Sequence, residues 1–244
     1  MIYIDIETIP NVDLLDSYIQ AELDDFKAPS SLTKTQALKD LGVDAKDPDY
    51  KYKTAAECVT IWEQRFADEK SPEVGKEKWH KTGMDGALGK CCSIAWAKDE
   101  GEIQSISMAN YPDERTLLAT FFLELAKSLK SDRAMFVGHN IRFDLKFLYR
   151  RCVILGIDPM VELPWSGRHG SSFYCTQEAW AGFKEFYKLD LLCKDLGMAG
   201  KSDDIDGSKV WEHFEAGKIA EIEEYNRDDV VKTRNVYKRL NFIK

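Results

Sequence analysis

Tyr3-Ile4-Asp5-Ile6-Glu7-Thr8 is the stretch on which the fold turns. From residue 2 to residue 7 the side chains alternate, with Ile2, Ile4 and Ile6 on one side of an extended chain and Tyr3, Asp5 and Glu7 on the other. The pattern predicts a strand with one apolar face and one face carrying two carboxylates a few ångströms apart. Pro10 and Asn11 end it. Alone, two such acids fit equally well on the solvated face of an edge strand.

Two acids far along the chain tip the balance. Asp144 closes Asn140-Ile141-Arg142-Phe143-Asp144 at the head of a helix with an apolar stripe of Ile141, Leu145, Leu148, Cys152 and Leu155. A carboxylate beside a buried stripe is costly unless it is paired or metal-bound. As an ordinary first-turn acid it would instead favour the helix N-terminus, with Asn140 as the N-cap. Asp229 lies four residues after Tyr225 in Tyr225-Asn226-Arg227-Asp228-Asp229, and Ile222, Asp229 and Val236 recur every seven residues with Asn226 and Thr233 between them. Asp229 thus shares a seam with apolar side chains, and Tyr225 stands one turn earlier on the same face. Asp228 is rotated by about 100° and is expected to be solvated. Carboxylates gathered at one point repel each other unless divalent cations hold them, so the set points to a two-metal site for phosphoryl chemistry.

The 244 residues suffice for one α/β domain with an insertion or for two small domains. An apolar fraction of 44% and a charged fraction of 31% describe a globular chain rather than a disordered one. Charges interrupt every hydrophobic run, which excludes membrane spans, and the N-terminus lacks the basic and apolar regions of a signal peptide. A cytoplasmic location is expected. Six cysteines without a Cys-x-x-Cys pair are expected to be buried free thiols, and His80, His139, His169 and His213 have no zinc-ligand spacing. The net charge of −8 argues against broad coating of nucleic acid but is compatible with gripping a strand at its end.

Residues 11–85 are expected to be a predominantly helical insertion after the first strand. Leu15, Ile19, Leu23 and Phe26 form one stripe, Thr54-Ala55-Ala56-Glu57 fits a capping box, and Ser71-Pro72 looks like the start of a further helix. Strands return at Gly89–Ala97 and Glu102–Met108 around a turn at Lys98-Asp99-Glu100-Gly101. A helix is expected from about Asp113 to Leu129, a short strand at Ala134-Met135-Phe136-Val137, and helices after Asn140 and from about Leu189, interrupted by a turn at Met198–Ser208. This order describes an α/β domain with a mixed sheet.

The combination of motifs resembles the DEDD superfamily of 3′→5′ exonucleases, in the subgroup with tyrosine in its third motif. Asp5-Ile6-Glu7-Thr8 matches the first motif, Asn140 to Asp144 the second and Tyr225-x-x-x-Asp229 the third. The chain is most similar to the proofreading exonuclease domain of family B DNA polymerases and to stand-alone bacterial and phage proteins related to it. Gly86-Ala87-Leu88-Gly89-Lys90, Ser93-Ile94-Ala95-Trp96 and the stretch from Lys201 to Trp211 extend the likeness, which covers residues 1–10 and roughly 86–240.

The resemblance implies a ribonuclease H-like mixed sheet flanked by helices, as a single domain over 1–244, and two divalent cations, Mg²⁺ or Mn²⁺. Asp5 would bridge the ions, Glu7 and Asp229 would help hold the first, and Asp144 would support the second through water. The pair would lower the pKa of a water and stabilise the departing 3′ oxygen, releasing nucleoside 5′-monophosphates. Tyr225 would orient the water. Thr8, Asn140 and Phe143 are the expected substrate contacts, and the 3′ end of single-stranded DNA is the expected substrate. Replication or repair proteins are the partners the likeness suggests. An exoribonuclease with the same site and a non-enzymatic ribonuclease H-like interaction module are the competing readings. Phe143, Tyr174, Phe183, Phe186 and Tyr187 are candidate stacking residues, although aromatics at these spacings more often belong to a core. Arg142, Lys146, Arg150, Arg151, Arg168, Lys184 and Lys188 are candidate phosphate contacts.

Overall fold

The computed structural model describes residues 1–129, 135–167, 169, 172–198 and 207–243. Arg168 and the Lys201–Asp206 part of the Lys201-to-Trp211 stretch lie outside the described residues. The chain divides into two compact units, one made of Met1–Pro10 with Gly83–Lys244, the other of Asn11–Thr82.

The first unit opens with β1 (Ile2–Ile9), and the second unit follows at once as four helices, α1 (Leu15–Asp24), α2 (Lys34–Asp40), α3 (Pro48–Lys51) and α4 (Ala55–Lys81). α4 organises this second unit. Its capping box forms as the motif at Thr54 suggests, with the Thr54 amide donating to Glu57 Oε2 at 2.6 Å and the Glu57 amide to Thr54 Oγ1 at 3.3 Å. Ser71-Pro72 does not start a new helix, because α4 runs through it. Packing on α1 carries the helix past the proline, whose ring removes one backbone hydrogen bond. Ser71 Oγ donates to Glu22 O of α1 at 3.3 Å. Four residues on, a Cβ at Gly75 would lie 2.7 Å from Ile19 Cα, so only glycine admits this crossing. Trp62 stacks on Phe26 with ring centroids 6.0 Å apart, and its indole N–H donates to Asp40 Oδ2 at 3.1 Å.

The first unit resumes with β2 (Lys90–Lys98), β3 (Gln104–Ser107), α5 (Glu114–Leu129), β4 (Phe136–Gly138), α6 (Ile141–Leu155), β5 (Phe173–Cys175), α7 (Thr176–Ala181), α8 (Leu189–Asp195), α9 (Val210–Glu215) and α10 (Ile219–Leu240). The five strands form one mixed sheet in the order β3-β2-β1-β4-β5. β1 pairs antiparallel with β2, from Ile2 opposite Lys98 to Ile9 opposite Lys90, and parallel with β4. The register with β2 shifts between Glu7 and Thr8. β5 and α7 have no counterpart among the sequence expectations, since three residues are too few to display a period of two.

β1 is therefore central, which removes the edge-strand reading of its acids. Ile2, Ile4 and Ile6 pack with Phe121 and Phe122 of α5 and Leu145 and Leu148 of α6 in the main core. Tyr3, on the opposite face, joins Ala95, Val137, Val230 and Tyr237. α10 thus covers the face of β1 that also carries Asp5 and Glu7. All six cysteines are free and buried. Among the described residues no helix is long and apolar enough to cross a membrane.

Candidate active site

Three of the four acids meet. The carboxylate oxygens of Asp5, Glu7 and Asp229 lie within 4.8 Å of one another. Alternation along β1 brings two of them to one face, and the seven-residue seam of α10 brings the third. Ile222, Asn226, Asp229, Thr233 and Val236 are all buried along that seam. The group opens into a cavity of about 800 Å³ that Tyr225 and Asn140 also line.

Asp144 stands behind this group rather than in it. It is 4% exposed, and its Oδ1 accepts a hydrogen bond from the Ile6 amide at 3.2 Å. The pairing of β1 with β4 runs from Ile2 opposite Phe136 to Tyr3 opposite Val137, and beyond it the Ile6 amide takes a carboxylate as its partner. A short turn delivers Asp144 to this point. A Cβ at Gly138 would sit 2.6 Å from Ile141 Cδ1, so glycine is what lets β4 turn directly into α6. Asn140 holds the N-cap position in a left-handed conformation, φ 62° and ψ 34°, and makes no capping bond.

The electrostatics are those of an anionic cluster. Burial, with the charges of Asp144, Glu7 and Asp229, pushes the Asp5 carboxyl well above its ordinary range, against the lowering effect of the bond from Asn226. Burial pushes Asp144 up to about 7, opposed by backbone hydrogen bonds. Burial and the charges of Glu7, Asp229 and Asp5 also raise the Tyr225 phenol, which shares a hydrogen bond with Asp229. Tyr225 is therefore a neutral donor at physiological pH, suited to orienting a neighbour rather than removing its proton.

Two positioning groups escaped the sequence reading. Asn226, fully buried, donates from Nδ2 to Asp5 Oδ2 at 2.6 Å and accepts from Ser93 Oγ of β2 at 2.9 Å. One Asp5 oxygen is thereby held by a side-chain donor. Lys232 is 5% exposed and lies 2.6 Å from Asp228 Oδ2, 3.1 Å from Asp190 Oδ1 and 3.5 Å from Asp229 Oδ1. Burial alone would lower its pKa, but its bonds to Asp228 and Asp190 and the charge of Asp229 more than reverse this. Asp228, expected to be simply solvated, is half-exposed and anchors this lysine.

The remaining expectations divide. Phe143 packs against the main core and lines a separate hollow of about 80 Å³, and Thr8 is not among the described residues lining the acidic cavity. Tyr174 packs edge-on against Tyr237 at 4.8 Å. Arg142, Arg150 and Arg151 are engaged by Glu178, Asp85 and Glu114. Lys146 lies 5.8 Å from the Trp165 ring and Lys184 5.5 Å from that of Phe183, whereas Lys188 does line the cavity.

Residues 82–244 match the model of a family described as a predicted 3′-5′ exonuclease related to the exonuclease domain of PolB. The chain belongs to that family. The match contains Asp144, Tyr225 and Asp229 and begins after β1, so it is the fold that adds Asp5 and Glu7 to them. The five-stranded mixed sheet with flanking helices is the ribonuclease H-like α/β fold of such exonucleases. No curated protein matches the chain.

The donor set fits hard divalent cations. It is all oxygen, it gathers three carboxylates within 4.8 Å, and their mutual repulsion is what raises Asp5 beyond the effect of burial.

Proposed function

We propose that this protein is a metal-dependent 3′→5′ exonuclease that releases nucleoside 5′-monophosphates from single-stranded or frayed DNA 3′ ends. The observation that carries this reading is the convergence of Asp5, Glu7 and Asp229 from opposite ends of the chain, within 4.8 Å and beside Tyr225. Asp5, Glu7 and Asp229, with Asp144 behind them, would hold two cations, Mg²⁺ or Mn²⁺. When bound, these would activate a water and stabilise the charge on the departing 3′ oxygen.

The chain's own residues supply the rest. Asn226 orients Asp5 through a 2.6 Å hydrogen bond, so this ligand does not have to be ordered when a cation arrives. The neutral phenol of Tyr225 directs the attacking water toward the terminal phosphodiester. Lys232 holds Asp229 and, through Asp190, ties α8 to α10 along one side of the cavity. Phosphoryl transfer demands little covalent chemistry from the protein, so positioning and charge are the contributions expected of it.

A 5′-labelled and a 3′-labelled single strand, each incubated with and without EDTA, test this reading. The 5′ label should give a ladder shortening from the far end, the 3′ label an immediate labelled mononucleotide, and EDTA should stop both. A ladder that persists in EDTA would refute it.

A further inference from the structure

Directly beside the acids, the same cavity holds a second chemistry. Phe186 lines it, together with Lys188, Lys194 and Lys209. All three lysines are exposed, and among the described residues none pairs with an acid. In a chain of net charge −8 these lysines stand beside the four carboxylates of the same lining, Asp5, Glu7, Asp190 and Asp229. Phe186 is 72% exposed and Phe183, on the same loop, 65%.

These rings are not on a slack loop. The Nε2–H of His139 donates to Tyr187 O at 2.6 Å, which leaves Nδ1 to accept from the Thr176 hydroxyl at 2.9 Å. The Tyr187 hydroxyl donates to Asp195 of α8. The Arg142 guanidinium lies between Phe173, 4.4 Å away, and Phe183, 5.6 Å away, and is fixed by Glu178 at 2.5 Å. Residues 182–188 are thus braced from three sides, and His139 ties them to the end of β4 beside Asn140. Exposed aromatics on a braced loop mark a binding surface.

A second, independent observation points to a ligand. Gln177 lines the same cavity and is 8% exposed, yet its Oε1 has no hydrogen-bond partner. An orphaned buried amide oxygen costs stability unless something that visits the cavity satisfies it.

We infer that Gln177, Phe183, Phe186 and the three lysines form the subsite for the unpaired DNA strand behind the scissile phosphate. This rests on the nuclease reading above and deepens it. Stacking on Phe186 needs a base face that a duplex hides, the lysines meet the phosphates, and Gln177 accepts a hydrogen bond from the terminal nucleotide. The surface therefore selects single strands by offering π faces and charge rather than by reading sequence.

The test is fluorescence anisotropy with a 5′-labelled oligo-dT of about a dozen nucleotides. It uses an Asp5→Asn/Asp229→Asn background, which removes both cleavage and phosphate repulsion. Phe186→Ala should weaken binding by about ten-fold, and Phe186→Trp should restore it. Replacing the three lysines with glutamine should flatten the salt dependence by about 0.7 per lysine. Gln177→Leu should weaken binding while raising the melting temperature, a pairing that a merely structural glutamine would not produce. A blunt hairpin duplex should not compete. The proposal fails if the background protein does not bind the oligonucleotide, if Phe186→Ala or Gln177→Leu binds like the background, if Phe186→Trp is as weak as alanine, or if duplex or the matching RNA binds more tightly. Because nothing is cleaved here, these outcomes are separate from failure of the nuclease reading, which would appear as absent metal-dependent hydrolysis by the unaltered protein.

Discussion

At the scale of single residues, the site depends on how Asp5 is held. Its Oδ2 takes the Asn226 amide at 2.6 Å, and Asn226 in turn takes Ser93 at 2.9 Å. Asn226→Leu should leave Asp5 misaligned and Ser93 without its acceptor. It should lose about 1–3 kcal/mol of stability in chemical denaturation and about ten-fold in Mn²⁺ affinity by calorimetry. Asp5→Ala and Asp229→Ala should abolish hydrolysis while the metal-free proteins melt close to the parent temperature, since relief of repulsion among buried carboxylates offsets the lost contacts to Asn226 and Lys232. Tyr225→Phe should slow turnover by about ten- to a hundred-fold with Mn²⁺ binding retained, the expected cost of removing one orienting donor. The acids were legible because a carboxylate on an apolar seam is anomalous. Asn226 sits on that same seam, but a buried amide signals nothing until the strand opposite is known to present Asp5. Lys232 was half legible, because Asp228 and Asp229 stand four and three residues before it on the same helix, while its bond to Asp190 of α8 needed the fold.

At the scale of elements, α5 and α6 are joined by a buried ion pair. Arg151 Nε and Nη2 donate to Glu114 at 2.8 and 2.6 Å, and Glu114 Oε1 also accepts the Cys91 amide of β2 at 2.8 Å. Arg151→Met leaves that carboxylate buried without its cation and should cost about 3–5 kcal/mol in urea unfolding. α10 was readable as an element because its period of seven persists through Asp229. The capping box at Thr54 was readable because both of its bonds are local. Ser71-Pro72 misled, because its local chemistry favours a helix start while packing of Gly75 on α1 carries α4 onward, and tertiary contacts outweigh a propensity. β5 was illegible for want of length. It pairs Phe173 to Cys175 with β4, an arrangement that three residues cannot announce.

At the scale of the whole molecule, α6 and α10 bring Asp144 and Asp229 from far along the chain to the Asp5 and Glu7 pair of β1, and their shared charge couples folding to pH. In the unfolded chain Asp144 titrates near 3.8, whereas burial raises it to about 7 in the fold, and Asp5 moves the same way. Between those values the folded protein binds more protons than the unfolded one, so its stability falls as pH rises. In EDTA the protein should be more stable at pH 5 than at pH 8 by an amount of the order of a few kcal/mol. Saturating Mg²⁺, which binds the ionised carboxylates, should narrow or reverse that difference. Melting curves in EDTA and in Mg²⁺ at the two pH values read this directly. The central claim is that Asp5, Glu7 and Asp229 jointly hold the cations on which hydrolysis depends. Its most direct test is titration calorimetry of Mn²⁺ into the parent protein and into Asp229→Ala, paired with digestion of a 5′-labelled strand by both. Strong binding and a shortening ladder for the parent, with neither for Asp229→Ala, are predicted; a variant that binds Mn²⁺ and cuts as the parent does would contradict the account.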